Sequence, residues 1–292
     1  MVEIKSGYGL STDDELKALS VIGELAAHQP LRVVATWLGA HEIAEEYRAD
    51  ASRREKFVET LIDDQLPNVV HQGVARFADV FCEPGVFSID ESRRILAAAR
   101  DAGLGLKLHA DELEHSGGAQ LAVEVGATSA DHLAAVSDQG VEALAKSNTV
   151  ATLLPGTMLF LGKSKQGPAR RLIDAGAAVA LATDFNPGTS PTVNFPLIMT
   201  LGVSQLRMSV GEVLIATTVN GAAAVRLAEE IGQIAPGFSA DLALFAITDI
   251  RELPYWYGAR LCVGSWKAGA PCHPYESVTK LQARPPEVVP AG

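Results

Sequence analysis

Residues 104–133 read LGLKLHADELEHSGGAQLAVEVGATSADHL: a strand, a polar turn, a helix and a second strand, with a histidine closing each strand. His109 ends L-G-L-K-L-H, His132 ends A-T-S-A-D-H, and Glu112 follows closely on His109. An apolar run that delivers one ionisable residue, then a turn, then a helix, is the repeating unit of a parallel α/β fold. The run A-V-A-L-A-T-D places Asp184 at the same level of that pattern. Two histidines and an acid at strand ends predict one site assembled from several strands, because active sites of α/β barrels gather at the C-terminal ends of the strands.

The same unit extends in both directions from this stretch. Strands are predicted over 2–8, 31–40, 75–81, 104–108, a run ending at His132, 149–154 and 178–183. Helices are predicted over 13–27, with Thr12 as cap and Glu15 completing a capping box, and over 53–70, 88–102, 118–124, 137–146 and 168–175. Three more are expected at 197–205, 210–218 and 221–228. Seven strands with helical crossovers predict an α/β fold, a TIM-like (β/α)8 barrel lacking one strand. The absent strand is expected to be the first, because Met1-Val2-Glu3-Ile4-Lys5 begins inside a strand. The alternative is an open doubly wound sheet, but no G-x-G-x-x-G or Walker A motif supports it. Residues 232–245 and 261–267 read as strands of a small β unit. The expected division is therefore 1–228 as an incomplete barrel, 229–275 as part of a small β-sandwich, and 276–292, which holds Pro285, Pro286 and Pro290, as a disordered tail.

Composition narrows the function classes. At 292 residues, 48% hydrophobic and 20% charged, the chain is long enough for a large core. A formal net charge of -11 argues against a nucleic-acid partner. No apolar run approaches the roughly 20 residues needed to span a bilayer, and no secretory leader pattern is present. Cys82, Cys262 and Cys272 form no C-x-x-C pair, which fits a reducing compartment. These features predict a cytoplasmic protein acting on a small molecule, with neither membrane nor nucleic acid as partner.

Each chemical candidate has a plainer reading beside it. His109 can present an imidazole nitrogen to a metal in a barrel mouth, or be an ordinary satisfied histidine. H-A-D-E-L-E-H is not H-E-x-x-H, so the helical zinc-protease pattern fails. Asp184 can bind a metal or take a proton from water, or serve the turn that Asn186-Pro187-Gly188 invites. His132 can shuttle a proton or belong to a hydrogen-bonded turn. Glu112 can relay a proton or stand in solvent. His41 and Tyr8 follow strands and offer polar contacts to a ligand. Glu83 ends a strand where a bridging metal ligand could sit, with one metal the simpler expectation. His28, His71, His115 and His273 read as structural or exposed. Trp37, Trp256 and Trp266 read as core or interface aromatics. No G-x-S-x-G elbow is present.

Six motifs in order carry a more specific resemblance: E-I-K-S-G-Y-G-L (3–10), L-G-A-H (38–41), F-C-E-P-G-V-F (81–87), K-L-H-A-D-E (107–112), S-A-D-H-L (129–133) and A-T-D-F-N-P-G-T-S-P (182–191). Together they resemble the imidazolonepropionase family of the amidohydrolase superfamily, from residue 2 to about residue 270. The resemblance implies a barrel of the metal-dependent hydrolase type and one divalent or trivalent metal ion, zinc or iron. It implies His109 and Asp184 as metal ligands, and Glu112, His132 and Asp184 as catalytic groups. Tyr8, His41, Glu112 and Thr189 would contact 4-imidazolone-5-propanoate, and Asn186 and Gly188 the product, N-formimidoyl-glutamate. A homodimer is compatible with the resemblance. Related readings are another cyclic amidohydrolase or deaminase of the superfamily, and a non-catalytic fragment. The family's H-x-H pair on the first barrel strand has no counterpart here. The expectation is thus an N-terminally truncated enzyme that binds metal weakly, since catalytic zinc sites use three protein ligands.

Overall fold

The computed structural model describes residues 1–272. Seven strands form one sheet in strictly sequential order: β1 (Val2–Lys5), β2 (Val33–Ala40), β3 (Phe77–Cys82), β4 (Gly105–Ala110), β5 (Ser129–His132), β6 (Val150–Leu153) and β7 (Val179–Leu181). All six neighbouring pairs are parallel. A doubly wound sheet reverses its strand order at a switch point, and no reversal occurs here. The seven-strand expectation therefore holds, and the open-sheet alternative falls. β1 and β7 are the two edges of the sheet.

Charged side chains inside the sheet reveal its curl. A flat sheet would set β1 and β5 about 19 Å apart, beyond the reach of one lysine. Yet Lys5 Nζ on β1 lies 2.7 Å from Asp131 on β5 and 2.6 Å from Asp79 on β3. Lys107 on β4 likewise reaches back to Glu3 on β1 at 2.8 Å. The strands thus wrap round an interior, as in a partial TIM-like barrel. That interior is stacked in charged layers: Glu3, Thr36 and Lys107 below, Lys5, Asp79 and Asp131 above. Buried charges are tolerated only when paired and hydrogen-bonded, and here every one is.

Helices cover the outside. They are α1 (Thr12–His28), α2 (Ala51–Thr60), α3 (Leu66–Gln72), α4 (Ile89–Asp101), α5 (Gly118–Glu124), α6 (Asp138–Ala145), α7 (Pro155–Phe160), α8 (Ala169–Ala175), α9 (Phe195–Ser204), α10 (Val210–Thr217), α11 (Val219–Ala223) and α12 (Glu252–Tyr255). The start of α1 corrects the sequence reading by one residue: Ser11 is the cap, its side chain accepting from the Asp14 amide. Glu15 completes no capping box. It is fully buried and accepts from Gly7 N at 3.1 Å and Gly9 N at 2.7 Å, which pins the turn that carries Tyr8. The helix expected over 53–70 is broken by a π turn at Leu61–Gln65. Pro67, in the first turn of α3, has no N–H to continue the ladder, and a π turn absorbs the mismatch. Pro155-Gly156, expected only to end a strand, opens α7, where proline's fixed φ suits a first helical position.

Trp37 is core: it is fully buried, and its Nε1 donates to Gln65 Oε1 at 2.6 Å. Trp256 is 48% exposed. A three-stranded antiparallel sheet, β8 (Leu242–Phe245), β9 (Cys262–Lys267) and β10 (Ala270–Pro271), is what the described residues show of the small β unit. His273 and the tail expected at 276–292 lie outside the described residues. Among the described residues, no helix is long and apolar enough to cross a membrane.

Candidate active site

His109 stands near the end of β4, 7% exposed. Its Nδ1 lies 3.1 Å from Asp79 Oδ1. Burial opposes charge on Asp79, but His109 and Lys5 beside it outweigh burial and hold its carboxyl far below the usual range. An ionised Asp79 accepts only, so Nδ1 carries a proton. Burial disfavours charge on His109 too, yet Asp79 raises its pKa against burial, and once the ring is neutral Nε2 is the nitrogen left with a lone pair. Among the described residues Nε2 has no hydrogen-bond partner. A carboxylate that fixes one nitrogen of a histidine while the other stays free is the usual support of a metal-binding imidazole. Ligand atoms of Asp79, His109 and Asp131 lie within 4.8 Å of one another, a donor group that could hold an ion. The Lys5 ammonium already bridges the two carboxylates, however. This leaves the His109 imidazole as the donor of that group still open to a metal. Burial disfavours the Lys5 charge, yet Asp131, Asp79 and Glu3 together raise its pKa well above the ordinary lysine value.

His132 closes β5 with its ring centre 5.1 Å from that of His109. Its Nε2 lies 3.5 Å from Glu112 Oε2, and its buried Nδ1 has no hydrogen-bond partner. Burial lowers the pKa of His132, outweighing the opposing pull of Glu112. The ring is therefore neutral at pH 7 and can take up a proton. The backbone is strained at this level: φ is 79° at His132, 61° at Leu133, 50° at Asp111 and 51° at Asp184. Left-handed non-glycine residues cost about 1–3 kcal/mol each and cluster at functional sites. Four of them at the ends of β4, β5 and β7 mark the same mouth that the motifs predict.

Two buried carboxylates shape the loop that bears Glu112. Asp111 is fully buried and accepts from the amides of Ser116, Gly117 and Ala119. Glu83 accepts from the amides of Glu112 at 3.1 Å, Leu113 at 3.1 Å and Glu114 at 2.6 Å. Both oxygens of Glu83 thus accept from the loop that bears Glu112. Burial nevertheless pushes the Glu83 carboxyl pKa up.

Asp184 lies just past β7 and accepts from Thr157 Oγ1 of α7 at 2.5 Å. Its charge is felt by His132 and also by Tyr8, whose phenol pKa is raised first by withdrawal from water and then by Asp184. His41 hangs from the end of β2, with Nδ1 3.1 Å from Gly7 O, and meets Tyr8 edge-on at 5.0 Å between ring centres. Burial, then the neighbouring His109, lowers its pKa. Neighbour contacts thus link Tyr8, His41, His109, His132 and Glu112 in one chain, while Asp184 is placed beyond β7 by its bond from Thr157. Asn186 is used by its own loop: Nδ2 donates to Asp184 O and Thr189 Oγ1, and Oδ1 accepts from the amides of Gly188 and Thr189. Gly188 is exposed, and Thr189 is half-buried beside Asn186. Sequence reasoning missed Lys5, Asp79, Asp131 and Thr157. Charges inside apolar strands, such as the aspartate in F-A-D-V-F-C, were the available signal.

A model described as the amidohydrolase family matches residues 4–272. A curated relative from Alkaliphilus metalliredigens, named imidazolonepropionase, is 48% identical over 257 residues. The aligned part covers 88% of this chain and 60% of that relative. A relative of the same name from Geobacillus sp. is 49% identical over the same shares. The chain thus spans about 60% of the length of the curated relatives it matches. Among solved structures, a zinc-bound adenosine deaminase from Xanthomonas campestris matches with a TM-score of 0.65 at 17% identity, over 87% of this chain and 63% of that one. A structure described as a putative prolidase from Bifidobacterium longum matches with a TM-score of 0.69 at 18% identity, over 92% and 72%. At such identities these two structures speak to fold alone.

Proposed function

Because this chain belongs to the amidohydrolase family, we propose that its site serves metal-assisted hydrolysis of a cyclic amide, with 4-imidazolone-5-propanoate as substrate and N-formimidoyl-L-glutamate as product. The observation that carries this reading is the His109 imidazole, tied at Nδ1 by Asp79 and open at Nε2, beside the His132–Glu112 pair. The donor set suits a metal: His109 Nε2 and the Asp184 carboxylate would hold it, and the unpartnered His132 Nδ1 adds a polar atom at the same mouth. Zinc and iron both accept such nitrogen and oxygen donors. When bound, the ion supplies Lewis acidity and lowers the pKa of a water toward about 7.

The remaining steps belong to the protein. Tyr8, His41 and Thr189 orient the ring and its propanoate, and the loop folded on Asn186 and Gly188 borders the product. Asp184 or neutral His132 accepts the proton released as water adds to the ring carbonyl. Glu112, close to His132 Nε2, returns a proton to the ring nitrogen as the C–N bond breaks. One water is consumed, and the ring opens to the formimidoyl and carboxylate ends. The same reading makes residues 1–228 the catalytic unit and 229–275 an accessory β domain. It puts the protein in the cytoplasm, in keeping with its free cysteines, and allows a homodimer.

The direct test incubates the purified chain with zinc or iron(II) and imidazolone propionate, following loss of substrate and formation of formimidoyl-glutamate by mass spectrometry. With only two protein ligands offered to the metal, slow formation of product at most is expected, and His109→Ala and Asp184→Ala should each abolish it. Fast hydrolysis of a different ring with imidazolone propionate inert, or turnover that survives both changes, would reject the reading. Thr157→Val is expected to weaken zinc binding about 10–100-fold, the usual cost of losing an outer hydrogen bond to a ligand. Calorimetric titration measures this, and an unchanged affinity would remove Asp184 from the ligand set.

A further inference from the structure

We propose that Lys5 is a positioning residue: its ammonium joins Asp79 to Asp131 so that Asp79 holds His109 with Nδ1 protonated and Nε2 open. The proposal rests on the reading of His109 as a metal ligand only for its consequence, not for its geometry. Lys5 comes from β1, Asp79 from β3 and Asp131 from β5, three alternate strands meeting in one interior layer, as barrel interiors are built. Each carboxylate divides its oxygens the same way. Asp79 gives Oδ2 to Lys5 at 2.6 Å and Oδ1 to His109 at 3.1 Å. Asp131 gives Oδ2 to Lys5 at 2.7 Å and Oδ1 to Ser129 Oγ at 2.7 Å. The Asp79 side chain is wholly buried and that of Asp131 is 6% exposed.

The physical consequence is specific. Two neighbouring buried carboxylates repel, and with little water to screen them they stay together only around a cation or by sharing a proton. Lys5 is that cation. Take it away and the pair either separates or takes up a proton, and in both cases the Asp79 oxygen no longer fixes the His109 ring as a pure acceptor. Among the described residues, the bond to Asp79 is the one hydrogen bond to the His109 ring. Lys5 therefore acts on the mouth through Asp79, from a strand that contributes no ligand. A core ion pair of purely structural value would stabilise the fold without governing which His109 nitrogen bears the proton.

Nitrogen-15 NMR of histidine-labelled protein separates these cases without metal or substrate. Long-range proton–nitrogen spectra, recorded at a pH high enough for the ring to be neutral, should show wild-type His109 as a single Nδ1–H tautomer. Lys5→Met should give a mixture of tautomers and zinc affinity lower by about 10–100-fold, and Lys5→Arg, which keeps the charge, should restore part of both. Thr36→Val, which breaks the Glu3 contact one layer below, is the control for general loosening of the core and should leave the tautomer fixed. A wild-type His109 in the Nε2–H form would overturn the proposal even if Lys5→Met failed to fold. So would a Lys5→Met protein with the tautomer intact, or a Thr36→Val protein that scrambles it equally. A fixed tautomer that is lost in Lys5→Met, in a wild-type chain that takes up no zinc, would reject the metal reading alone and support the Lys5 assignment.

Discussion

Glu112→Gln is expected to lower kcat by about 10²–10⁴-fold, the range for loss of a positioned acid–base group, with a much smaller change in KM. Glutamine keeps the size and hydrogen-bonding of the side chain but can neither carry charge nor exchange a proton. The backbone of Glu112 is clamped by Glu83, and its side chain is 10% exposed, so the substitution has little room to rearrange the loop. A second signature separates this from a packing effect. Glu112 raises the pKa of His132 against burial. Removing that charge must lower the His132 pKa further, moving the acid limb of the pH–rate profile to lower pH. Steady-state kinetics across pH 4–9 measures both effects. A kcat within about threefold of wild type, with the acid limb unmoved, would take Glu112 out of the proton path.

The other large effect is on stability. Lys107→Met should cost about 3–5 kcal/mol, because breaking a buried ion pair leaves an uncompensated charge. The Lys107 side chain is 2% exposed and donates to Glu3 at 2.8 Å and to Ala224 O at 3.0 Å. Glu3, 17% exposed, would keep only its hydrogen bond from Thr36. The double variant Glu3→Gln with Lys107→Met removes both charges and should recover much of the loss. Urea unfolding at pH 7 gives the difference. A single-variant cost under about 1 kcal/mol would mean that water reaches this layer and screens it, as at a protein surface.

The contrast between these residues explains what was legible in the chain. His109, His132 and Asp184 could be found because each ends an apolar run, and a strand end is a local signal. The seven strands were legible for the same reason, though their limits moved by a few residues where fraying and caps decide them. Ser11 displaced Thr12 as the cap of α1 because one hydroxyl, not a residue class, meets the Asp14 amide. Lys5, Asp79 and Asp131 were hidden in another way. Each looks like a stray charge in its own strand, and only the curl of the sheet makes the three one unit. The role of Glu83 was illegible because its partners are backbone amides, which leave no trace in side-chain identity. Asp111 belongs to the same class, since its partners too are mainly the amides of a loop.

The link between Lys5 and Asp131 also carries information about the order of assembly. It joins positions 126 residues apart. Contacts of such separation are made late in folding, because the entropy of closing the intervening chain must be met before they form. Neighbouring strands from β1 to β7 can each pair over short separations, β1 with β2 as readily as the rest. Until the sheet curls, however, the aspartates beneath the histidines lack their ammonium. The closing of that curl is therefore the step that turns a set of correctly placed histidines into a defined chemical centre.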